Sequence, residues 1–339
     1  MIASQFKRAI LASFFIILFF VTAFSNARAS SGEGEAFNAS EVILHHVVDD
    51  HVWHFFDGHY GTLYLPVIVY SEQHGLEVFS SGNFYNDDHK VVPYGNYTLV
   101  DGHIHLAADP EAFVLDISIS KTVLMLFINA ALLIIIFMAV GKAYKKDAKK
   151  APKGMQSLFE PIILFIRDEV AKPNIGSNYE KFLPFLLTMF FFILFGNLLG
   201  LLPGAANLTG NIAVTLVLAV FTFIVTNING NKHYWKHIFW TPGVPLPLKF
   251  IIVPVEILGI FTKPFSLTVR LFVAITAGHI VMLALISLVF IFSSYYVGIG
   301  STIIVLFINL IELLVAAIQA YVFTMFSALY IGLATEDHH

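Results

Sequence analysis

Apolar residues run along this chain in blocks much longer than a soluble core helix uses. Predominantly apolar stretches cover 122–140, 182–202, 211–228, 248–292 and 302–333. A helix rises 1.5 Å per residue and the bilayer hydrocarbon core is ~30 Å thick, so about 20 apolar residues suffice to cross it. None of the blocks shows the roughly ten-residue alternation of a barrel strand. The pattern predicts an all-α polytopic membrane protein with about five membrane helices. As helices the last two blocks would be on the order of 65 Å and 48 Å long, too long for upright spans. They are expected to break, tilt or lie partly in the membrane plane, with Pro254 and Pro264 permitting bends. Together they predict a slanted hairpin closed by the external turn FSSYYVGIGS and laid along another protein.

The polar stretches set the order and the sidedness. Residues 1–29 read as a signal peptide: Lys7 and Arg8, an apolar run from Ala9 to Phe24, then Ala27-Arg28-Ala29. An uncleaved first membrane helix is the alternative, and either places residue 30 onward outside the cytoplasm. Residues 30–120 form an external, periplasmic segment with fourteen acids, Lys90 as its one lysine, and nine of the fourteen histidines. TLYLPVIVY and KVVPYGNYTLV read as short strands and Asp101-Gly102 as a turn, so a small extramembrane β-containing unit is expected. His45, His46, His51, His54, His103 and His105 match no closed zinc spacing. A solvated acidic, histidine-rich surface is the simpler reading, and a metal-binding or proton-collecting role the sharper one; no metal site is assigned.

The membrane domain is expected over 121–339. Six lysines crowd 141–153 directly after its first helix and mark the cytoplasmic side. SLFEPIILFIRDEVAKP is too short and too charged to span, and predicts an amphipathic helix over about 157–170 on that surface. The loop from Pro203-Gly204 to Gly210 lacks Lys and Arg and is read as external. Lys232, Lys236 and Lys249 return the chain to the cytoplasm. These rules imply a multi-pass protein of the bacterial inner membrane with its mature N-terminus outside and its C-terminus cytoplasmic.

Composition agrees with that class. The chain is 57% hydrophobic and 12% charged, about half the charge of an average soluble domain. It has no cysteine, which excludes disulfides, thiolate metal sites and cysteine nucleophiles. No phosphate-cradling glycine loop is present, so no nucleotide site is expected in this chain. Neither a cofactor nor a nucleic-acid partner is expected.

The chemistry is carried by the few ionisable groups inside the apolar blocks. Arg270 lies in GIFTKPFSLTVRLFVAITAGHIVMLALISLVFIF, with no formal charge from Leu271 to Phe292. An arginine at the bilayer centre costs roughly 2.5–3.5 kcal/mol on insertion scales, so it needs a partner or water. Glu256, Lys263 and Arg270 are seven apart, hence each only about 20° from the last on a helix. Ser266 lies about 40° from Arg270. A structural ion pair between Glu256 and Lys263 is the plainer reading of that seam, but it leaves Arg270 without a counter-ion. His279 points about 180° away from Arg270. Glu312, with Gln319 seven residues on, is the acid of the last block. His279 and Glu312 form the natural intramembrane pair, because each is costly alone and both exchange protons. Asn197, Asn207 and Asn211 add amides near the external end. Two polar routes result, one through Glu256, Lys263 and Ser266, the other through Glu312, His279 and Gln319, with Arg270 between them.

From about Lys142 onward these residues resemble the a subunit of F-type ATP synthases, in the membrane (Fo) sector. KPFSLTVRLFVAITAGH is similar to that family's arginine-helix motif, with Lys263, Ser266, Arg270 and Gly278 in register. Glu256 stands where the family often has an acid. NLLGLLPG and NIAVTLVLA resemble its second and third membrane segments, and Glu312 with Gln319 its last-helix polar pair. Ala274 stands where many members have an amide. The resemblance implies a proton-channel stator subunit with two aqueous half-channels, and an essential Arg270 facing carboxylates supplied by a ring of c subunits. It also implies partners in the peripheral-stalk b subunits and other synthase subunits, in a membrane-lipid setting, and no catalysis by this chain alone. The other classes weighed are a stand-alone secondary transporter or channel, and an assembly scaffold with an external metal-binding domain.

Overall fold

The computed structural model describes residues 49–54, 61–86, 91–100, 102–146, 152–202, 204–240, 245–292 and 294–336. The expected signal peptide, His45 and His46 lie outside these, and the side chain of His54 is also not described. Strands come first: β1 (Val52–His54), β2 (Thr62–Tyr64), β3 (Pro66–Ser71), β4 (Gly75–Ser80), β5 (Tyr97–Val100), β6 (His103–Leu106) and β7 (Val114–Asp116). All pairings are antiparallel: β1 with β2, β3 between β4 and β7, and β5 with β6. In β3 the inward residues Val67, Val69 and Ser71 alternate with outward ones, the period of two that a pleated strand imposes. Val67 and Val69 pack with Phe84, Tyr97, Ile104 and Leu106 into a small core.

The strand expected over 62–70 divides at Leu65, and that over 90–100 shrinks to Tyr97–Val100. Pro93 has no N–H to give a ladder. Gly95 takes φ 58° in a tight turn closed by reciprocal Tyr94–Tyr97 backbone bonds. Gly102 lies in a turn at φ 79°, with Val100 opposite His103 on either side of it. Strands β1, β4, β6 and β7 are not signalled by the expected pattern.

Helices follow: α1 (Lys121–Lys146), α2 (Met155–Phe165), a π-helical turn (Ile166–Ala171), α3 (Lys172–Ile175), α4 (Tyr179–Gly200), α5 (Ile212–Ile228), α6 (Lys232–Phe239), α7 (Leu246–Phe292) and α8 (Tyr295–Thr335). Among the described residues, four helical runs are long and apolar enough to cross a membrane, and α5 with α6, bent by 103° between them, makes a fifth. The run from Met155 to Gly200 is a hairpin, not a rod. Phe159 and Phe191 would lie about 48 Å apart on a straight helix, yet their rings are 5.7 Å apart. The reversal falls at Gly176–Asn178, where Gly176 takes φ 75°.

Three expectations are refined. The helix expected over 157–170 is buried along part of its surface: Ile166, Val170 and Ala171 are fully buried in the helical core with Leu186, Ile193 and Ile331, while Leu158, Leu164 and Phe165 are exposed. The block from 248 does not break at its prolines; α7 runs as one helix of 47 residues through Pro254 and Pro264. The turn FSSYYVGIGS is far shorter than expected, because α8 already begins at Tyr295. Helices α7 and α8 form a long antiparallel pair, touching at Leu285 and Ser301 near the turn and at Lys263 and Tyr330 far from it.

Candidate functional site

The site is built on the α7–α8 pair. Glu312 is 3% exposed, and its Oε1 lies 2.5 Å from His279 Nδ1. A carboxylate this deep is tolerable only when bonded. Gly278 makes room for it, since a Cβ there would stand 3.0 Å from Oε1. Glu312 Oε2 is buried with no hydrogen-bond partner among the described residues. One turn along α8, the Ala316 carbonyl accepts from Asn197 Nδ2 of α4 at 3.2 Å, and Asn197 Oδ1 accepts from Thr209 at 2.7 Å. The fully buried Asn197 thus fixes the stretch of α8 that carries Glu312.

Arg270 sits half-buried on α7 with its guanidinium 4.3 Å from the centre of the Phe326 ring of α8. No acid of the described residues pairs with it. A desolvated cation–π contact contributes about 2 kcal/mol, less than the roughly 2.5–3.5 kcal/mol insertion cost at a bilayer centre. The aromatic ring steadies the guanidinium without neutralising it.

Glu256 and Lys263 do not form the ion pair weighed above. Lys263 instead points its Nζ toward the Tyr330 ring, 5.4 Å from its centre. It lines a narrow pocket with Thr226, Asn227 and Tyr234. Ser266 is exposed and Gln319 half-buried, and neither makes a hydrogen bond among the described residues. Asn207 and Asn211 first serve the backbone: Asn207 accepts from the Gly210 N–H at 3.2 Å and Asn211 from the Ala213 N–H at 2.9 Å, capping α5. Both also line a cavity of ≈ 330 Å³ that reaches His279 and Thr276.

The structure therefore joins His279 to Glu312, sets Asn207 and Asn211 beside the same cavity, and keeps Lys263 at another pocket further along α7. Phe326, Tyr330 and Thr276 are missed by sequence reasoning, because aromatics and threonines on apolar helices carry no distinguishing signal. Asn129 is also missed, though an amide amid LFINAALLIII could have been found: it is fully buried and donates to the Phe192 carbonyl at 2.9 Å, clamping α1 to α4. Among the described residues no three histidines or acids gather as metal ligands.

An apolar helical bundle that holds an uncompensated arginine and a bonded acid–histidine pair defines a polytopic membrane protein equipped to handle charge inside a bilayer. Residues 123–332 match the family described as ATP synthase A chain, and residues 42–122 match one described only as a domain of unknown function. ATP synthase subunit a 2 of Chlorobaculum tepidum is 53% identical over 247 residues, covering 70% of this chain and 69% of that protein. ATP synthase subunit a 2 of Prosthecochloris aestuarii is 43% identical over 319 residues, covering 91% and 84%. The second match must take in most of the strand-bearing segment, which the likeness to the a subunit had left uncovered. The chain belongs to the ATP synthase A chain family.

Proposed function

We propose that this chain is the proton-conducting stator subunit of a rotary ATP synthase. The observation that carries it is Arg270, a permanent cation between two separate polar sites and without an acid among the described residues. Its counter-ion then comes from another polypeptide, the carboxylate of a passing c subunit. The face of α7 that carries Arg270 suits such a neighbour: Val255, Val273 and Val281, each within about 60° of Arg270 around the helix, are all exposed.

The energetics make the exchange reversible. Burial in lipid raises a carboxyl's pKa by up to about 3–5 units. A guanidinium ~4 Å away contributes about 4 kcal/mol at an effective dielectric of 20, which is roughly three pKa units. The two effects nearly balance, so a ring carboxylate gives up its proton beside Arg270 and takes one up beyond it. Glu312 and His279 relay protons from the external side, with Gln319, Asn207 and Asn211 beside them. Glu256, Lys263 and Ser266 guide release toward the cytoplasm. Because Arg270 stands between the routes, protons cross only by riding the ring. The b subunits of the peripheral stalk would hold the chain against rotation, in a bacterial inner membrane with the strand-bearing segment outside.

Arg270→Ala in the assembled complex is expected to abolish ATP-driven proton pumping and ATP synthesis in inverted vesicles, with c-subunit content unchanged. Coupled activity at the native level in that variant would overturn the reading.

A further inference from the structure

The strand-bearing segment is bound to the helices at one defined place. Trp53 Nε1 donates to the Gly204 carbonyl at 2.5 Å, and the indole packs with Met125 and Ala206. Asp49 accepts from Ser120 Oγ at 2.7 Å and from the Thr122 N–H at 3.1 Å, which caps the start of α1. The Asp50 carbonyl accepts from the Lys121 N–H at 2.9 Å. These contacts bring Asp49, Asp50 and Lys121 to the rim of the ≈ 330 Å³ cavity that Thr276 and His279 line from α7. One hollow thus has a charged rim contributed partly by the strand-bearing segment and, at its floor, the histidine bonded to Glu312. Glu312 Oε2, buried and unbonded, remains available behind it.

We infer that the strand-bearing segment forms the outer wall of the proton inlet to His279 and Glu312, with Asp50 as a proton-loading carboxylate at its mouth. The inference rests on the stator reading above. The cavity accommodates several waters, each of which takes ~30 Å³ in the liquid, so a proton can pass along them. Charged groups at the mouth of a low-dielectric cleft focus the field and raise the local concentration of the ion they attract. Asp49 and Asp50 attract protons; Lys121 opposes them and keeps the rim from binding cations indiscriminately. The nearby His51–Asp116 pair, at 3.0 Å, is not among the cavity-lining residues and fixes β7 against the segment's start.

The test uses the assembled synthase in its own membrane. The absence of cysteine lets a single thiol be introduced without removing any. Asp50→Asn keeps an acceptor oxygen for the His51 N–H that Asp50 Oδ1 now bonds at 2.7 Å. Ala205→Cys, on the cavity wall, is labelled after assembly with a membrane-impermeant cationic methanethiosulfonate added from outside. Passive proton flux is measured under a potassium diffusion potential once the catalytic sector has been stripped. Asp50→Asn is expected to slow flux by about tenfold, the lower end of what a focusing charge contributes to an on-rate. Labelled Ala205→Cys is expected to be blocked and the unlabelled variant to conduct. Native flux in Asp50→Asn, or native flux after complete labelling, overturns the inference. If Arg270→Ala is inactive while either holds, only the inlet assignment fails; if Arg270→Ala stays coupled, the stator reading fails first.

Discussion

At the level of single residues, the site turns on how each buried charge is compensated. Glu312 is satisfied on one oxygen by His279 and left open on the other, so it can hold or release a proton without losing its anchor. Glutamine preserves the shape and the Oε1 acceptor but cannot exchange a proton. Glu312→Gln is therefore expected to assemble normally and to slow proton flux; unchanged flux in stripped vesicles would remove Glu312 from the route. The pairing was readable in the sequence because acid and histidine are each costly in apolar helices. The ring beneath Arg270 was not, since Phe326 is one of 34 phenylalanines and nothing local marks it. The Glu256–Lys263 pairing failed for a related reason: heptad spacing puts two groups on one face but does not decide whether Lys263 turns toward the acid or toward Tyr330.

At the level of elements, the prolines and the small residues were the hardest to read. Pro254 and Pro264 each remove a helix hydrogen bond, that to the carbonyl four residues earlier, yet α7 continues through both as one helix, as packing among membrane helices permits. Gly298, Gly300 and Ser301 suggested a loop but belong to α8. Ser301 and Gly298 allow close approach instead: Ser301 Oγ donates to the Leu285 carbonyl at 3.0 Å, and a Cβ at Gly298 would just touch Val289. The tightest such contact lies at the other end of α8. A Cβ on Gly332 would fall 1.8 Å from the Asn174 carbonyl oxygen of α3, which is backbone and cannot swing aside. Gly332→Ala is expected to destabilise the packing of α8 on α3 by about 1–3 kcal/mol or more. A lower onset temperature of aggregation for the purified complex would show it; an unchanged onset would refute the contact.

For the whole molecule, the docking of the strand-bearing segment is what joins its two parts. His51 is a buried group in that segment. Burial opposes its charge, but the hydrogen bond and charge of Asp116, with Asp50 and Asp49, carry its pKa above the ordinary 6.5. Burial likewise opposes the Asp116 carboxylate, yet the bonds from His51 and Ser118 hold its pKa below the ordinary 3.8. The histidine's contribution is complete below 6.5 and is lost as pH rises through its raised value. The carboxylate's is complete above 3.8 and is lost as pH falls through its lowered value. Protease resistance of the segment in the purified complex is thus expected to be greatest between those limits and to decline above 6.5, with the decline absent in Asp116→Asn. An identical pH profile for both proteins would dismiss the pair. The sequence by itself determined the helical membrane class, the strand-bearing N-terminal segment and the ionisable groups that need partners, because hydropathy and the cost of buried charge act on every residue wherever it ends up. Only the tertiary structure decided that Arg270 rests on Phe326, that 155–200 folds back on itself, and that Asp49 and Asp50 share a cavity with His279. Each of these joins groups distant along the chain, and their approach is fixed by side-chain packing between elements, which no local pattern encodes.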